Sequence, residues 1–316
     1  MGPVKPHRHL SRDNPWMSRH TPGRGAAMGH HPPRSRRLSH HSELGRWEVA
    51  FRAPDPRLRP YVQTYAGFDE SGILFHRRRE LAIAHVAVIF NTGPAFRISD
   101  PRETRAPETF GGAFVGGLYD SYVVTEGNGA ARGVQVNFTP VGAHLFLALP
   151  LREVAQQVVR YGDLGPEARR LEQHLGELED WDDCFDLLDA VIAARVADAR
   201  PPWAGVAWAW DRLCASHGNV DIGSLSAELG CSRKHLIAQF REQAGLPPKS
   251  IARILRFQHA VGLLRSTDAM PWAELAAECG YYDQSHLIRD FQQFAGSPPA
   301  DFLRRQLPEG GGMRDQ

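Results

Sequence analysis

The sequence predicts an α+β protein: a β-rich N-terminal part, helices trailing it, and an all-α C-terminal domain. Three observations carry this reading. Short runs with strand-like hydrophobicity crowd residues 44–140, and helical periodicity takes over from about 141. One pattern then occurs twice in the C-terminal third, as "GCSRKHLIAQFREQAGLPP" from Gly230 and as "GYYDQSHLIRDFQQFAGSPP" from Gly280. The chain has 316 residues, enough for two domains. Its net charge of +1 announces no nucleic-acid partner, so such a partner has to be argued from where the charges sit. The longest apolar run, "VGAHLFLALPL" from Val141, is short and holds a His and a Pro, and no membrane span is expected. The N-terminus lacks the apolar stretch of a signal peptide. Cys184, Cys214, Cys231 and Cys279 are scattered without a CxxC, which argues against a zinc site or disulfide framework and fits the cytoplasm. No nucleophile elbow, P-loop or HExxH motif occurs, so no catalytic residue, metal or cofactor is expected.

Residues 1–43 are rich in Pro, Gly, Arg and His and read as a disordered basic tail. A DNA-contacting arm is one reading. A dispensable tail, or a start assigned too early with Met28 or a later codon as the true one, is the other. Residues 44–200 read as one domain. In it "AHVAVIF" (84–90) is a short buried run, and "SYVVTEG" (121–127) and "RGVQVNF" (132–138) flank a Gly-rich turn. Val134, Val136 and Phe138 alternate with Gln135 and Asn137, the period of a half-buried strand. Closely spaced short strands suggest a small barrel or sandwich. From 141 to 200 the pattern is helical, and Phe185, Leu188, Ile192 and Val196 share one face. Pro201 and Pro202 end that segment.

The third segment, 203–308, opens with a helix near 205–217 whose apolar face includes Val206, Trp210, Leu213 and His217. Each repeat then reads as helix, tight turn, helix. Gly230 and Gly280 sit where a positive φ is needed. Pro271 suits a first-turn position. Ser232 and Asp283 have the chemistry to cap the second helices, near 233–244 and 284–295. Leu236 and Phe240 point to the core, as do Leu287 and Phe291. Arg233, Lys234, Ile237, Ala238 and Arg241 are left outward in the first unit. Gln284, Ser285, Ile288, Arg289 and Gln292 are left outward in the second. Arg pairs bidentately with guanine, Gln with adenine, and apolar atoms meet a thymine methyl, so these are the candidate DNA-reading residues. His235, His286 and Arg256 are candidate phosphate contacts, as are Arg253, Arg265, Arg304 and Arg305. Residues 309–316 read as a second disordered tail.

Residues 205–306 resemble the two-unit DNA-binding domain of the AraC/XylS transcription regulators. "GYYDQSHLIRDFQQFAGSPPADF" carries the family signature through Gly280, Tyr281, Asp283, Ser285, His286, Phe291, Gly296 and Pro299. The resemblance implies double-stranded DNA as partner, with two recognition helices in successive major-groove segments, and activation more often than repression. RNA polymerase, a small-molecule effector and a second copy of the chain are the further partners it implies. "ARGVQVNFTPVGAHLFLALPLREV" followed by "YGDLG" resembles more weakly the β-rich, cupin-like sensor domains found ahead of this module. His76, His85 and His144 are isolated and read as non-ligands. Trp47, Tyr61, Tyr65, Phe68, Phe90 and Phe96 read as core, with a pocket as the alternative. A ligand-binding protein or a DNA-repair-type fusion, with the helical module only as a targeting element, is the competing reading. A repair fusion needs a reactive cysteine cluster near the N-terminus, and no cysteine precedes Cys184.

Overall fold

The computed structural model describes residues 35–42, 45–72, 77–103, 106–266, 270–307 and 312–315. Two antiparallel sheets form the N-terminal part. One has the strands β1 (Arg36–Ser42), β2 (Gly45–Arg52), β3 (Val62–Ser71), β5 (Val86–Asn91), β8 (Ala113–Gly116), β10 (Ala131–Phe138) and β11 (Val158–Arg160). Their spatial order is β1-β2-β3-β10-β5-β8-β11. The other has the order β12-β4-β9-β6-β7. Its strands are β4 (Arg77–Glu80), β6 (Phe96–Ser99), β7 (Glu108–Phe110), β9 (Val123–Glu126) and β12 (Met313–Arg314). The Gly-rich turn after β9 therefore does not close a hairpin. It carries the chain from one sheet to the other.

Strand β10 lies between β3 and β5, with Val136 opposite Tyr65 on one side and Val88 on the other. Val134, Val136 and Phe138 bury their side chains toward the helices α1 (Pro140–Leu147) and α3 (Trp181–Asp198). Phe138 stacks on Phe146 at 4.7 Å, and Tyr65 on Phe185 at 5.4 Å. An ion-pair network ties the same layer to α3. Arg52, its side chain 2% exposed, donates to Asp186 at 2.5 Å and Asp189 at 2.8 Å, and the Tyr65 hydroxyl donates to Asp189 at 2.7 Å. The strand is not half-buried as its alternation suggests. Asn137 is fully buried, on the same strand face as Gln135, which lines a cavity.

Four further expectations differ from the structure. Residues 1–34 lie outside the described residues, but Arg36–Ser42 of the expected tail form β1, paired with β2 from Arg36↔Phe51 onward. Remote acids secure it: Ser35 donates to Asp182 and Arg37 to Asp180. The expected C-terminal tail likewise contributes a strand, since β12 pairs with β4 (Met313↔Arg79) and Met313 is buried. Within 141–200, Val158–Arg160 is not helical but strand β11, where the β-branched pair Val158–Val159 adds to β8. His217 does not extend the first helical face, because α4 (Ala204–Ala215) ends before it and His217 sits exposed at φ 49°. The α2 helix (Pro166–Gly176) completes the N-terminal part. No helix among the described residues is long and apolar enough to cross a membrane.

After Pro202 the chain is helical: α4, then α5 (Ile222–Glu228), α6 (Arg233–Ala244), α7 (Pro248–Ser266), α8 (Trp272–Glu278), α9 (Gln284–Ala295) and α10 (Pro299–Arg305). Leu236, Phe240, Leu287 and Phe291 are all fully buried. Phe291 packs edge-on against Phe257 of α7 at 4.9 Å and against Phe302 of α10 at 5.8 Å. Truncating it removes a ring shared by three helices. Phe291→Ala is therefore expected to destabilise the helical part by about 3–5 kcal/mol. Chemical denaturation followed by circular dichroism measures this, and a midpoint equal to that of the parent would contradict the core assignment.

Candidate nucleic-acid interface

The two repeats fold into equivalent units with equivalent joints. In the first, α5 leads through Gly230 (φ 62°) to α6; in the second, α8 leads through Gly280 (φ 71°) to α9. A non-glycine residue is strained at these angles, which explains the glycine in both copies. Ser232 caps α6 by accepting the His235 N–H at 3.1 Å, and Asp283 caps α9 by accepting the His286 N–H at 2.7 Å. Gly245 and Gly296 end the two helices with positive φ. Pro271 differs slightly from expectation. It is the residue before α8 and not within its first turn, while Asp221 caps α5 with its side chain.

The outward faces of α6 and α9 carry most of the expected groups. Arg233, Lys234, Ala238 and Arg241 are exposed on α6, and Gln284, Ser285, Arg289 and Gln292 on α9. Ile237 and Ile288 are half-buried, so only part of each reaches the surface. Among the described residues Arg233, Lys234, Arg241 and Arg289 enter no ion pair with another side chain.

The neighbouring arginines behave differently. Arg253 donates to the buried Asp290 at 2.6 Å and to Gln293 at 2.7 Å, under the ring of Phe294. Arg256 reaches the Gly280 carbonyl at 3.4 Å and lies over Tyr281, bracing the turn. Arg265 donates to Gln306, and its burial lowers the pKa. Arg304 pairs with Asp301, and Arg305 lies 3.9 Å from Asp315. The positive charge of Arg253, Arg304 and Arg305 is thus met by a carboxylate within the chain, while Arg256 and Arg265 are held by neutral acceptors. His235 rests edge-on against Trp203 at 4.9 Å and His286 against Tyr281 at 5.1 Å, each at the start of its helix.

One residue of this surface is absent from the sequence expectation. Tyr282 is 94% exposed in the turn between the buried Tyr281 and the capping Asp283. Its sequence signal is weak: an aromatic at a turn position that has no core to join.

The β-rich part holds the inner ends of both recognition helices. Arg152 pairs with Glu242 of α6. At the end of α9, the Ala82 N–H donates to the Phe294 carbonyl at 3.1 Å and Arg79 to the Gly296 carbonyl at 2.6 Å. Gln293 donates to the Asp120 carbonyl at 2.8 Å. A cavity of about 1530 Å³ opens between the two sheets and continues to α4 and α7. Tyr61, Phe68 and Phe96 line it, whereas Tyr65 and Phe90 are core. Trp47 stacks on His40. His85 is buried on the cavity wall, His144 donates from Nδ1 to the Leu149 carbonyl at 2.9 Å, and His76 lies outside the described residues.

Residues 225–305 match a family described as a helix-turn-helix domain, and residues 51–160 one described as a domain of unknown function (DUF6597). The HTH-type transcriptional activator RhaR of Klebsiella pneumoniae is 28% identical over 119 residues, 38% of this chain and 36% of that protein. RhaR of Enterobacter sp. (strain 638) is 35% identical over 75 residues, 24% of this chain and 26% of that protein. The chain thus spans about a third or less of the length of these relatives. A solved structure of ToxT from Vibrio cholerae shares 10% identity and a TM-score of 0.42, covering 82% of this chain and 98% of that one.

The caps of the second helices generate a direct check. Asp283→Ala removes the acceptor for an otherwise unpaired N–H and is expected to cost about 1 kcal/mol, with Ser232→Ala similar. Thermal melting of each variant measures this, and an unchanged midpoint for both would argue against the capping geometry. With two units of the same build, the signature at Gly280–Pro299 and the matched helix-turn-helix domain, the C-terminal part of the chain carries a helix-turn-helix domain of the AraC/XylS type.

Proposed function

We propose that this chain is a sequence-specific, DNA-binding regulator of transcription that acts as an activator in the cytoplasm and has no catalytic activity of its own. The observation that carries this reading is the contrast in cation use. Arg233, Lys234, Arg241 and Arg289 stand exposed and without ion-pair partners among the described residues, while Arg253, Arg304 and Arg305 are paired with acids of the chain. Leaving long cationic side chains free on two equivalent helices has a purpose where a polyanion is the partner.

In this reading α6 and α9 enter successive major-groove segments on one face of the duplex, about 34–36 Å apart. Arg233, Lys234, Arg241, Gln284, Ser285, Arg289 and Gln292 reach base edges or flanking phosphates. Ala238 and the accessible atoms of Ile237 and Ile288 meet thymine methyl groups. His235 and His286, at the helix N-termini, face phosphates. Arg256 serves the Tyr281 turn instead. Tyr282 adds a stacking or sugar contact beside α9. Residues 44–200 form the effector-binding and dimerising part, with the cavity as effector site. RNA polymerase and a second copy of the chain are the protein partners.

Selection of bound duplexes from a random pool, with the full-length chain at near-physiological salt, tests this reading. An asymmetric motif of two blocks one helical turn apart is expected, and salt-sensitive binding without enrichment would count against it. On the selected site Arg289→Ala is expected to cost about 1–3 kcal/mol and to relax one base position. Equal loss on every sequence would make Arg289 a phosphate contact.

A further inference from the structure

The interior between the two sheets has the wrong composition for a packed core. Side chains that point inward between stacked sheets are ordinarily apolar. Here the inward positions of β3 and β10 include Glu70 and Gln135, and those of β4 and β9 include Arg78, Glu80 and Thr125. Phe68, Phe96 and Phe114 stand among them, and Tyr119 lines the same space. The far end is closed by the apolar cluster of Ile98, Phe110 and Phe114.

The charges here do not balance. Arg78 is held in a two-pronged pair by Glu70, at 3.1 and 2.6 Å. Its Nε lies 3.9 Å from Glu80, which accepts from the Thr125 hydroxyl at 3.1 Å. Glu70, Arg78 and Glu80 together leave one negative charge in excess. Burial raises the Glu80 carboxyl above the usual carboxylate range, against the opposing pull of Arg78 and Thr125. Yet 40% of the Glu80 side-chain surface stays accessible, and that residue lines the cavity. His85 on the wall adds no positive charge, since burial pushes its imidazole down to about 4. Of the arginines lining the cavity besides Arg78, Arg59 is exposed and Arg265 is engaged with Gln306. A second polar group lies on the same strand face. Asn137, fully buried two residues from Gln135, accepts from Gln135 Nε2 at 2.6 Å and leaves its own Nδ2 without a hydrogen-bond partner among the described residues.

We propose that this space binds a small organic cation, an amine on an apolar or aromatic body, with Glu80 as its counter-charge and Phe68, Phe96 and Tyr119 as its walls. This inference rests on the reading of the cavity as an effector site. An amine supplies the charge that Arg78 cannot, and aromatic faces attract a cation further. A carboxylate ligand would meet Glu80 with like charge. A neutral ligand of the same shape would forgo the ion pair.

Titration calorimetry on the full-length chain tests this with three probes of one shape: phenethylamine, 2-phenylethanol and phenylacetate. Phenethylamine is expected to bind at least tenfold more tightly than the alcohol, and phenylacetate not to bind. Glu80→Gln is expected to abolish the preference for the amine, and Glu80→Asp to reduce it, with melting curves confirming that both fold. Arg170→Ala, on the exposed face of α2, is expected to leave it unchanged. Equal binding of amine and alcohol, a preference for phenylacetate, an amine preference that survives Glu80→Gln, or no heat from any probe would each overturn the proposal. The duplex selection is independent: a chain that enriches a DNA motif yet ignores the amine loses this inference alone.

Discussion

The register of β10 is the constraint on which the N-terminal half depends. Because it pairs on both sides, its two faces must serve two different compartments. Val134, Val136 and Phe138 supply the packed layer under α1 and α3, while Gln135 supplies a polar group to the space between the sheets and Asn137 is buried on the same strand face. A slip of one residue would send the amides into the helical core and the valines toward the cavity. The Arg52–Asp186–Asp189–Tyr65 network works in the same direction. It fixes α3 over the strands next to β10, and thereby fixes which face is covered.

Much of the helical half is legible in the sequence because its determinants are local. Gly230 and Gly280, Ser232 and Asp283, and the pairs Leu236–Phe240 and Leu287–Phe291 each act within one or two turns of chain. What is hidden depends on partners far away in sequence. Nothing near Arg36 reveals that Asp180 and Asp182 wait for this segment, and nothing near Val158 reveals an open edge at β8. The free and the engaged arginines look alike as letters. Arg253 is distinguished from Arg289 only by Asp290 and Gln293, brought to it by the packing of α7 on α9. The cavity is hidden for the same reason, since Phe68 and Tyr65 differ by three positions on one strand yet face opposite compartments.

The contacts between the two halves give the binding space a mechanical connection to the DNA-facing helices. Ala82 and Ala84 belong to one short segment beside the cavity. The first donates to the last turn of α9 and the second to Gln258 of α7. A ligand that moved this segment would pull on both helices, and by reciprocity DNA that repositioned them would alter the ligand's affinity by the same factor.

Strand β12 has a consequence for how the chain comes to be folded. Arg79 and its partner Asp315 are 236 residues apart. At about 5–20 residues per second, tens of seconds of translation separate the two. During that interval β4 can pair with β9, but its other edge has no strand to meet. An open edge invites pairing with other nascent chains on the same message. The three consecutive arginines of β4, Arg77 to Arg79, put like charges along that edge and repel a second copy. The residues that grip the C-terminal segment in the finished protein thus guard its place on the ribosome until it arrives.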